Sequence, residues 1–212
     1  ISICGTGMAS LAGLLQKSGY LVTGSDANIY PPMSTLLKSS GIDIKSGYQR
    51  NNITADIDQV IVGNAVSKDN PEVLAVQEKG IPYISFPEAI KKFYLKNQKS
   101  LVITGTHGKT TTTALLSWVL HSAKRKPGFM VGGWMKNFDG NHAIPEGEFF
   151  VSEGDEYDTA FFDKGPKFLH YSPFASILTG IEFDHADIYR DLDHIKNSFR
   201  KFVNNIHPSG FL

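Results

Sequence analysis

Two features of the sequence predict an α/β fold with parallel sheets. Short apolar runs alternate with segments of helical spacing, an alternation typical of parallel strands joined by crossover helices. A glycine-rich turn follows the first of these runs, and a second such turn follows the run at residues 101–104. Each half of the chain therefore opens with a strand, a turn and a helix, the arrangement that binds phosphate at a helix N-terminus.

The predicted strands fall into two groups separated by a polar stretch. They cover residues 1–4, 20–23, 60–62, 101–104, 149–152 and 175–179. The polar stretch at 96–100 precedes a fresh strand and is the predicted linker. We therefore expect one domain over residues 1–97 and a second over 98–212. Because strand-like runs lie at both ends of the chain, we also expect a fragment of a longer protein.

Composition excludes several classes of protein. Lys plus Arg and Asp plus Glu number 21 each, so no basic surplus suggests a nucleic-acid or membrane partner. One cysteine excludes an internal disulfide, and no apolar run approaches the roughly 18 residues of a membrane span. We expect a cytoplasmic protein that binds neither nucleic acid nor membranes.

The first glycine-rich turn predicts a Rossmann-like N-terminal domain. Gly5, Thr6, Gly7 and Met8 follow the opening strand and begin a segment of helical spacing. Their backbone N–H groups are candidates to face a pyrophosphate, and Asp26 lies at a suitable distance along the chain to meet a ribose or a base. Since Ser10 replaces the third glycine of G-x-G-x-x-G, the turn fits a dehydrogenase poorly. The alternative is a turn whose glycines only permit tight packing.

The second turn predicts a P-loop ATPase-type domain. Gly105, Thr106, His107, Gly108, Lys109, Thr110 and Thr111 lie between a buried strand and a long helical segment. Glycines let backbone N–H groups converge on phosphate oxygens, Lys109 adds a positive charge, and the Thr110 hydroxyl is a candidate magnesium ligand. Only two residues separate the glycines, so the loop is a shortened variant of the general pattern.

Acidic residues and a histidine follow two later strands. Glu153, Asp155, Glu156 and Asp158 come after the run at 149–152, and the segment 182–185 brings His185 after the run at 175–179. The carboxyl ends of parallel strands meet at one edge of a sheet, where ligands bind. With Thr110, these side chains are candidates to hold magnesium for phosphoryl transfer. The alternatives are solvated helix caps and a structural histidine.

Three motifs in this order resemble the Mur ligase family. They are G-T-H-G-K-T-T-T from Gly105, S-E-G-D-E-Y-D-T-A-F-F-D-K from Ser152 and I-E-F-D-H-A-D-I-Y from Ile181. The resemblance covers nearly the whole chain and implies a UDP-sugar-binding N-terminal domain, a truncated central ATPase domain, and a C-terminal domain that is absent. Segments from Gly24, Val62 and Asp158 resemble the branch that recycles cell-wall peptides more than the branch that adds L-alanine.

The resemblance also implies roles for individual residues. ATP phosphates would be bound by Lys109 and the loop Gly105, Thr106, His107, Gly108, Thr110 and Thr111. One Mg²⁺ would be held by Thr110 and Glu153 and a second by His185, so Lys109, Glu153 and His185 would be catalytic. The UDP-sugar would contact Gly5, Thr6, Gly7, Met8, Asp26, Asn64 and Ala65. Gly180 departs from the family, where Asn or Ser is common.

The implied reaction joins the tripeptide L-alanyl-γ-D-glutamyl-meso-diaminopimelate to UDP-N-acetylmuramate through an acyl phosphate, with ATP and Mg²⁺. The fragment alone is expected to bind nucleotides without efficient ligation. Four alternatives remain open: L-alanine addition, a non-catalytic nucleotide-binding module, a dehydrogenase, and a folate-polyglutamate or cyanophycin type of ligase.

Overall fold

The structure is a computed structural model that describes residues 1–182 and 189–212. The chain folds into two compact units. The first comprises residues 1–89 and 159–164, and the second comprises 90–158 and the described part of 165–212. None of the helices in the described ranges combines the length and the hydrophobicity that crossing a membrane requires.

The first unit contains short parallel strands and the helices that connect them. Its strands are β1 (Thr23–Asp26), β2 (Asp43–Ser46), β3 (Val60–Val62) and β4 (Tyr83–Ser85). Its helices are α1 (Thr6–Lys17), α2 (Met33–Ser39), α3 (Pro71–Glu78) and α4 (Phe86–Ile90), with a 3-10 turn at Arg50–Asn52. Strand β1 pairs with β2, and β3 pairs with β4, both in parallel.

The opening segment 1–4 lies between these two strand pairs. It is not assigned as a strand, yet Ile3 N donates to Ser25 O at 3.0 Å and Gly63 N donates to Ile1 O at 3.1 Å. These bonds give the order β2, β1, segment 1–4, β3, β4, so the predicted Rossmann-like fold is confirmed. The strand predicted at 20–23 is displaced: β1 begins at Thr23, and Leu21 is 92% exposed.

The second unit is built on a five-stranded sheet. The strands of this sheet are β5 (Lys99–Thr104), β6 (Gly128–Met135), β7 (Gly140–Ala143), β8 (Phe149–Gly154) and β11 (Ala175–Leu178). Two further strands, β9 (Asp158–Ala160) and β10 (Asp163–Pro166), form a separate two-stranded sheet. The described helices are α5 (Lys109–Ser122) and α6 (Leu192–Asn204), with short turns at Lys91–Leu95 and Lys167–His170. The sheet order is β11-β5-β8-β6-β7, and only the edge pair β6 and β7 is antiparallel.

The centre of this sheet carries the core of the second unit. Ile103, Phe129 and Val151 on three neighbouring strands are 0–1% exposed and pack together. Helix α5 covers them with Ala114, Leu116 and Leu120. Because β5 lies between β11 and β8, the loops that follow these three strands meet at one edge, as expected for an open parallel sheet.

Strands β9 and β10 form a hairpin whose tip belongs to the first unit. The Phe162 ring meets the Tyr83 ring edge-on with centroids 5.1 Å apart. Phe161 packs on the cluster that includes Ile1 and Val62. Residues 159–164 therefore belong to the first unit and pack against its core through Phe161, although they are distant from it in sequence.

Candidate active site

The loop between β5 and α5 has a backbone that requires glycine at two positions. Gly105 has φ +126°, and Gly108 has φ +80° at the N-cap of α5. A Cβ on Gly105 would lie 2.3 Å from Thr179 Oγ1 and 2.8 Å from Gly180 O. The loop is thus fitted closely against the segment after β11. It presents the N-terminus of a 14-residue helix, where backbone N–H groups attract anions.

Thr106 and His107 tie this loop to the segment after β11. Thr106 N donates to Gly180 O at 2.9 Å, and the Thr106 hydroxyl accepts from Glu182 N at 2.9 Å. His107 O accepts from Thr179 Oγ1 at 2.5 Å. The side chain of His107 is exposed, with Nε2 3.7 Å from Glu182 Oε2. Of these two residues, Thr106 contributes mainly to loop geometry in this structure.

Lys109 is held in a buried ion pair. Its ammonium donates to Gly105 O at 2.6 Å and to the two carboxylate oxygens of Glu156 at 2.9 and 3.2 Å. The side chains are only 11% and 3% exposed. The Glu156 carbonyl accepts from the Tyr189 hydroxyl at 2.6 Å. Lys109 therefore has a fixed position at this edge of the sheet.

Thr110 and Glu153 form an oxygen-rich pair beside Lys109. Thr110 Oγ1 donates to Glu153 Oε2 at 3.0 Å, and Gly132 N donates to Glu153 Oε1 at 2.5 Å. Burial raises the pKa of the Glu153 carboxyl, and the two hydrogen bonds offset this only in part. A half-buried carboxylate next to a hydroxyl suits a hard cation with oxygen ligands, which would stabilise the charged form.

The acidic cluster predicted after β8 separates into distinct pairs. Glu153 contacts Thr110, Glu156 contacts Lys109, and Asp155 accepts from Lys167 Nζ at 3.1 Å. Asp158 begins β9. The strand therefore delivers its carboxylates to the predicted edge, but each of the first three already has its own partner.

Metal ligation by several acidic or histidine side chains is not seen in the described ranges. No group of three or more His, Cys, Asp or Glu residues within 1–182 and 189–212 could hold an ion. Mg²⁺ in phosphoryl-transfer sites is bound by one or two carboxylates together with waters and substrate phosphates, so this does not conflict with the Thr110 and Glu153 pair. His185 and its neighbour Asp184 lie outside the described residues.

The residues predicted to bind the UDP-sugar lie at one edge of the first unit. Gly5 is the N-cap of α1, and Thr6, Gly7 and Met8 form its first turn. A Cβ on Gly7 would lie 3.0 Å from the Phe86 ring.

Loops after β1 and β3 carry the remaining predicted residues. Asp26 is 5% exposed and accepts from Cys4 N at 2.8 Å and Asn28 N at 2.9 Å, so it fixes the turn through the backbone. Asn64 and Ala65 are exposed in the loop that follows β3.

Sequence profiles match both halves of the chain. A profile described as the catalytic domain of the Mur ligase family matches residues 1–97, and the Mur ligase middle domain matches residues 103–212. The chain belongs to the Mur ligase family. The predicted resemblance is thereby confirmed.

Individual Mur ligases are similar over almost the whole chain. UDP-N-acetylmuramate--L-alanyl-gamma-D-glutamyl-meso-2,6-diaminoheptandioate ligase of Escherichia coli is 48% identical over 99% of this chain and 46% of its own length. UDP-N-acetylmuramate--L-alanine ligase of Carboxydothermus hydrogenoformans is 37% identical over 100% of this chain and 44% of its own length. The chain thus spans about half the length of these curated relatives.

A solved Mur ligase has the same fold. The crystal structure of UDP-N-acetylmuramate:L-alanyl-gamma-D-glutamyl-meso-diaminopimelate ligase from Neisseria meningitides matches with a TM-score of 0.92 and 41% identity. The match covers 98% of this chain and 67% of that one.

Sequence reasoning missed three features of this Mur ligase chain. It named Glu156 only as part of an acidic cluster and did not predict its pairing with Lys109. It assigned no role to Lys167, which contacts Asp155. It also overlooked Glu72, which is 0% exposed at the start of α3. The one available signal for Glu72 was the sequence Asn-Pro-Glu, in which Asn70 caps a helix and proline occupies its first turn.

Proposed function

We propose that the protein to which this chain belongs joins L-alanyl-γ-D-glutamyl-meso-diaminopimelate to UDP-N-acetylmuramate, with ATP as the activating substrate. The observation that carries the proposal is the Thr110 and Glu153 pair beside Lys109, at the N-terminus of α5. This arrangement suits phosphoryl transfer, in which charge accumulates on phosphate oxygens. The greater identity to the tripeptide-adding relative, 48% against 37%, favours the tripeptide over L-alanine as the amine substrate.

ATP would bind at the loop formed by Gly105, Thr106, His107, Gly108, Lys109, Thr110 and Thr111. The helix N-terminus provides backbone N–H groups for phosphate oxygens, and Lys109 provides the positive charge. For Lys109 to contact a phosphate, its ammonium exchanges at least one of its present hydrogen bonds to Gly105 O and Glu156. We infer that Glu156 keeps the ammonium near the loop while this exchange takes place.

Mg²⁺ would be held by Thr110 and Glu153, whose oxygens already lie 3.0 Å apart. When bound, the cation supplies positive charge that neutralises the phosphate oxygens and the raised-pKa carboxylate of Glu153. His185 as the ligand of a second Mg²⁺ stays a prediction. The catalytic set would be Lys109, Glu153 and His185.

The UDP-sugar would bind to the first unit through Gly5, Thr6, Gly7, Met8, Asp26, Asn64 and Ala65. The α1 N-terminus, where Gly5 is the N-cap, supports binding of the pyrophosphate. Because the Asp26 carboxylate accepts two backbone N–H groups, its contribution is to shape the turn around the nucleotide. The same proposal includes a domain boundary between residues 97 and 98. It also includes a cytoplasmic location for the protein.

The chemistry proceeds in two substitutions. The lactyl carboxylate of UDP-N-acetylmuramate attacks the γ-phosphorus of ATP, and the bond between that phosphorus and the β-γ bridging oxygen breaks. ADP is the leaving group, and the product is an acyl phosphate of the UDP-sugar. The tripeptide amine then attacks the acyl carbon, phosphate leaves, and the amine loses a proton. Lys109 stabilises the charge on the transferring group, and the closely fitted loop holds ATP in line for attack.

Phosphate release tests the proposal directly. The full-length protein is incubated with UDP-N-acetylmuramate, ATP and Mg²⁺, together with either the tripeptide or L-alanine, and Lys109→Ala serves as the blank. We expect release that depends on the tripeptide and disappears in the blank. Release with L-alanine would instead assign the protein to the biosynthetic branch. Nucleotide binding without release in either mixture would favour a binding module.

A further inference from the structure

Glu72 is a buried carboxylate that the proposed mechanism does not use. We propose that it is a positioning residue of the UDP-sugar site, which holds three loops of the first unit in the arrangement that receives the nucleotide. This inference rests on the proposed function, because it assigns a role in the binding of that UDP-sugar.

The Glu72 carboxylate is 0% exposed and is surrounded by uncharged donors. Oε2 accepts from the Ser25 hydroxyl at 2.5 Å. Oε1 accepts from Asn52 Nδ2 at 2.6 Å and from Gln49 N at 3.3 Å. Burying a carboxylate is unfavourable unless such bonds compensate for the lost water, so the three donors are held firmly by the acceptor they share.

These partners come from different segments of the chain. Ser25 lies in β1, Gln49 and Asn52 lie in the segment after β2, and Glu72 itself begins α3. Helix α3 follows the loop of β3 that carries Asn64. One side chain therefore connects the ends of three parallel strands, the edge of an α/β sheet where ligands bind.

The same network reaches the first glycine-rich turn through Asp26. Asp26 directly follows Ser25. Its carboxylate accepts a hydrogen bond from Cys4 N at 2.8 Å, and its carbonyl oxygen accepts one from Gly47 N at 2.8 Å. Without the Glu72 carboxylate, Ser25, Gln49 and Asn52 lose their common acceptor. The loops would then be ordered only when the ligand binds, which lowers affinity for that ligand.

Three variants of the full-length enzyme test this role. Glu72→Ala removes the acceptor, and Glu72→Gln preserves it: the amide oxygen still accepts from Gln49 N and Asn52, and the amide nitrogen donates to the Ser25 hydroxyl. Gln77→Ala, an exposed change on the same helix, is the control. For Glu72→Ala we expect the KM and Kd for UDP-N-acetylmuramate to rise about tenfold. The kcat and the KM for ATP should stay within about twofold. Glu72→Gln should restore most of the affinity.

The outcomes separate the two proposals. If the wild-type enzyme does not bind UDP-N-acetylmuramate, the proposed function fails and the inference fails with it. If the wild type binds and Glu72→Ala binds equally well, only the inference fails. A fall in kcat with no change in either KM would show a loss of folded enzyme and would also overturn it. Should Glu72→Ala not fold, Ser25→Ala and Asn52→Ala carry the test: each should raise the KM for the UDP-sugar about threefold, and unchanged values would overturn the inference.

Discussion

At the scale of single residues, the Lys109 and Glu156 ion pair determines how a substitution of Lys109 affects stability. Both side chains are nearly buried, so removal of the lysine leaves a carboxylate without its counter-charge. Breaking a buried ion pair in this way costs about 3–5 kcal/mol of stability. We expect Lys109→Ala to be destabilised by about that amount in urea unfolding. The double variant Lys109→Ala with Glu156→Gln should recover most of the loss.

A surface pair provides the control for this experiment. Lys126 and Glu146 are also within hydrogen-bonding distance, but their side chains are 66% and 68% exposed. Lys126→Ala should therefore leave the free energy of unfolding unchanged within error. Equal stability of Lys109→Ala and wild type would contradict the burial argument. It would also make Lys109→Ala a simpler blank for the activity assay.

Glu153 gives a pH dependence of defined sign. Burial raises the pKa of this carboxyl above its ordinary value of 4.5, so the folded state binds the proton more tightly than the unfolded state does. Protonated Glu153 therefore stabilises the folded protein at pH values below the pKa that this carboxyl has in the unfolded state. This stabilisation is lost as the pH rises through the higher pKa of the folded state. Without Mg²⁺, Glu153→Gln should therefore be more stable than the wild type at neutral pH. The difference in the free energy of unfolding between the variant and the wild type should disappear at about pH 4.

Urea unfolding at the two pH values measures this effect. The sign reverses if Glu153 is stabilised as a carboxylate by its neighbours, and a variant less stable than the wild type at neutral pH would show that. Added Mg²⁺ is a second readout: it should raise the Tm of the wild type more than that of Glu153→Gln, because the neutral amide binds the cation less tightly than the carboxylate does.

At the scale of elements, the glycine-rich loop between β5 and α5 depends on the fit of Gly105 against the segment after β11. Alanine there combines an unfavourable φ with a Cβ 2.3 Å from Thr179 Oγ1. Gly41→Ala is the matched control, since Gly41 has φ +73° but nothing within 4 Å of the added Cβ. We expect Gly41→Ala to cost about 1–2 kcal/mol from backbone strain alone. Gly105→Ala should cost more and should also abolish ATP binding, as measured by calorimetry.

The elements show what the sequence could predict. Strands β3, β5, β8 and β11 were predicted because their apolar runs are bounded by turns, and most of their side chains are buried or partly buried in the structure. The strand at 20–23 was misplaced because Tyr20 and Leu21 are exposed, and an apolar pattern alone does not reveal which residues a helix will cover. Phosphate binding by the loop glycines stays a prediction, and the structure shows that Gly105 and Gly108 adopt the positive φ values that favour glycine.

Pairings between distant side chains could not be predicted in the same way. Lys109 and Glu156 are 47 residues apart, and Glu72 meets Ser25 across another 47. Such contacts depend on strand order and on the side of the sheet that each residue faces. The spacing of residues along the chain does not by itself specify which distant side chains meet.

At the scale of the whole molecule, the first unit includes the β9–β10 hairpin tip, residues 159–164. This tip follows the rest of the unit, residues 1–89, after a long intervening segment of the chain. Phe161 packs on the cluster around Ile1 and Val62, so its removal should weaken this unit alone. We expect Phe161→Ala to speed hydrogen exchange in β3 and β4 roughly tenfold, because a partly buried aromatic ring contributes about 1–2 kcal/mol to local stability. Exchange in the five-stranded sheet should be unchanged.

Phe138→Ala supplies the reciprocal measurement by hydrogen-exchange mass spectrometry. The Phe138 ring lies 4.6 Å from the Phe129 ring, centroid to centroid, and packs on the core beneath α5. Its removal should speed exchange in α5 and β6 and leave β3 and β4 protected. If Phe161→Ala instead loosens both units equally, the two do not unfold independently. The hairpin tip would then stabilise the molecule as one cooperative body, and ligand binding to either nucleotide site would protect both units from exchange.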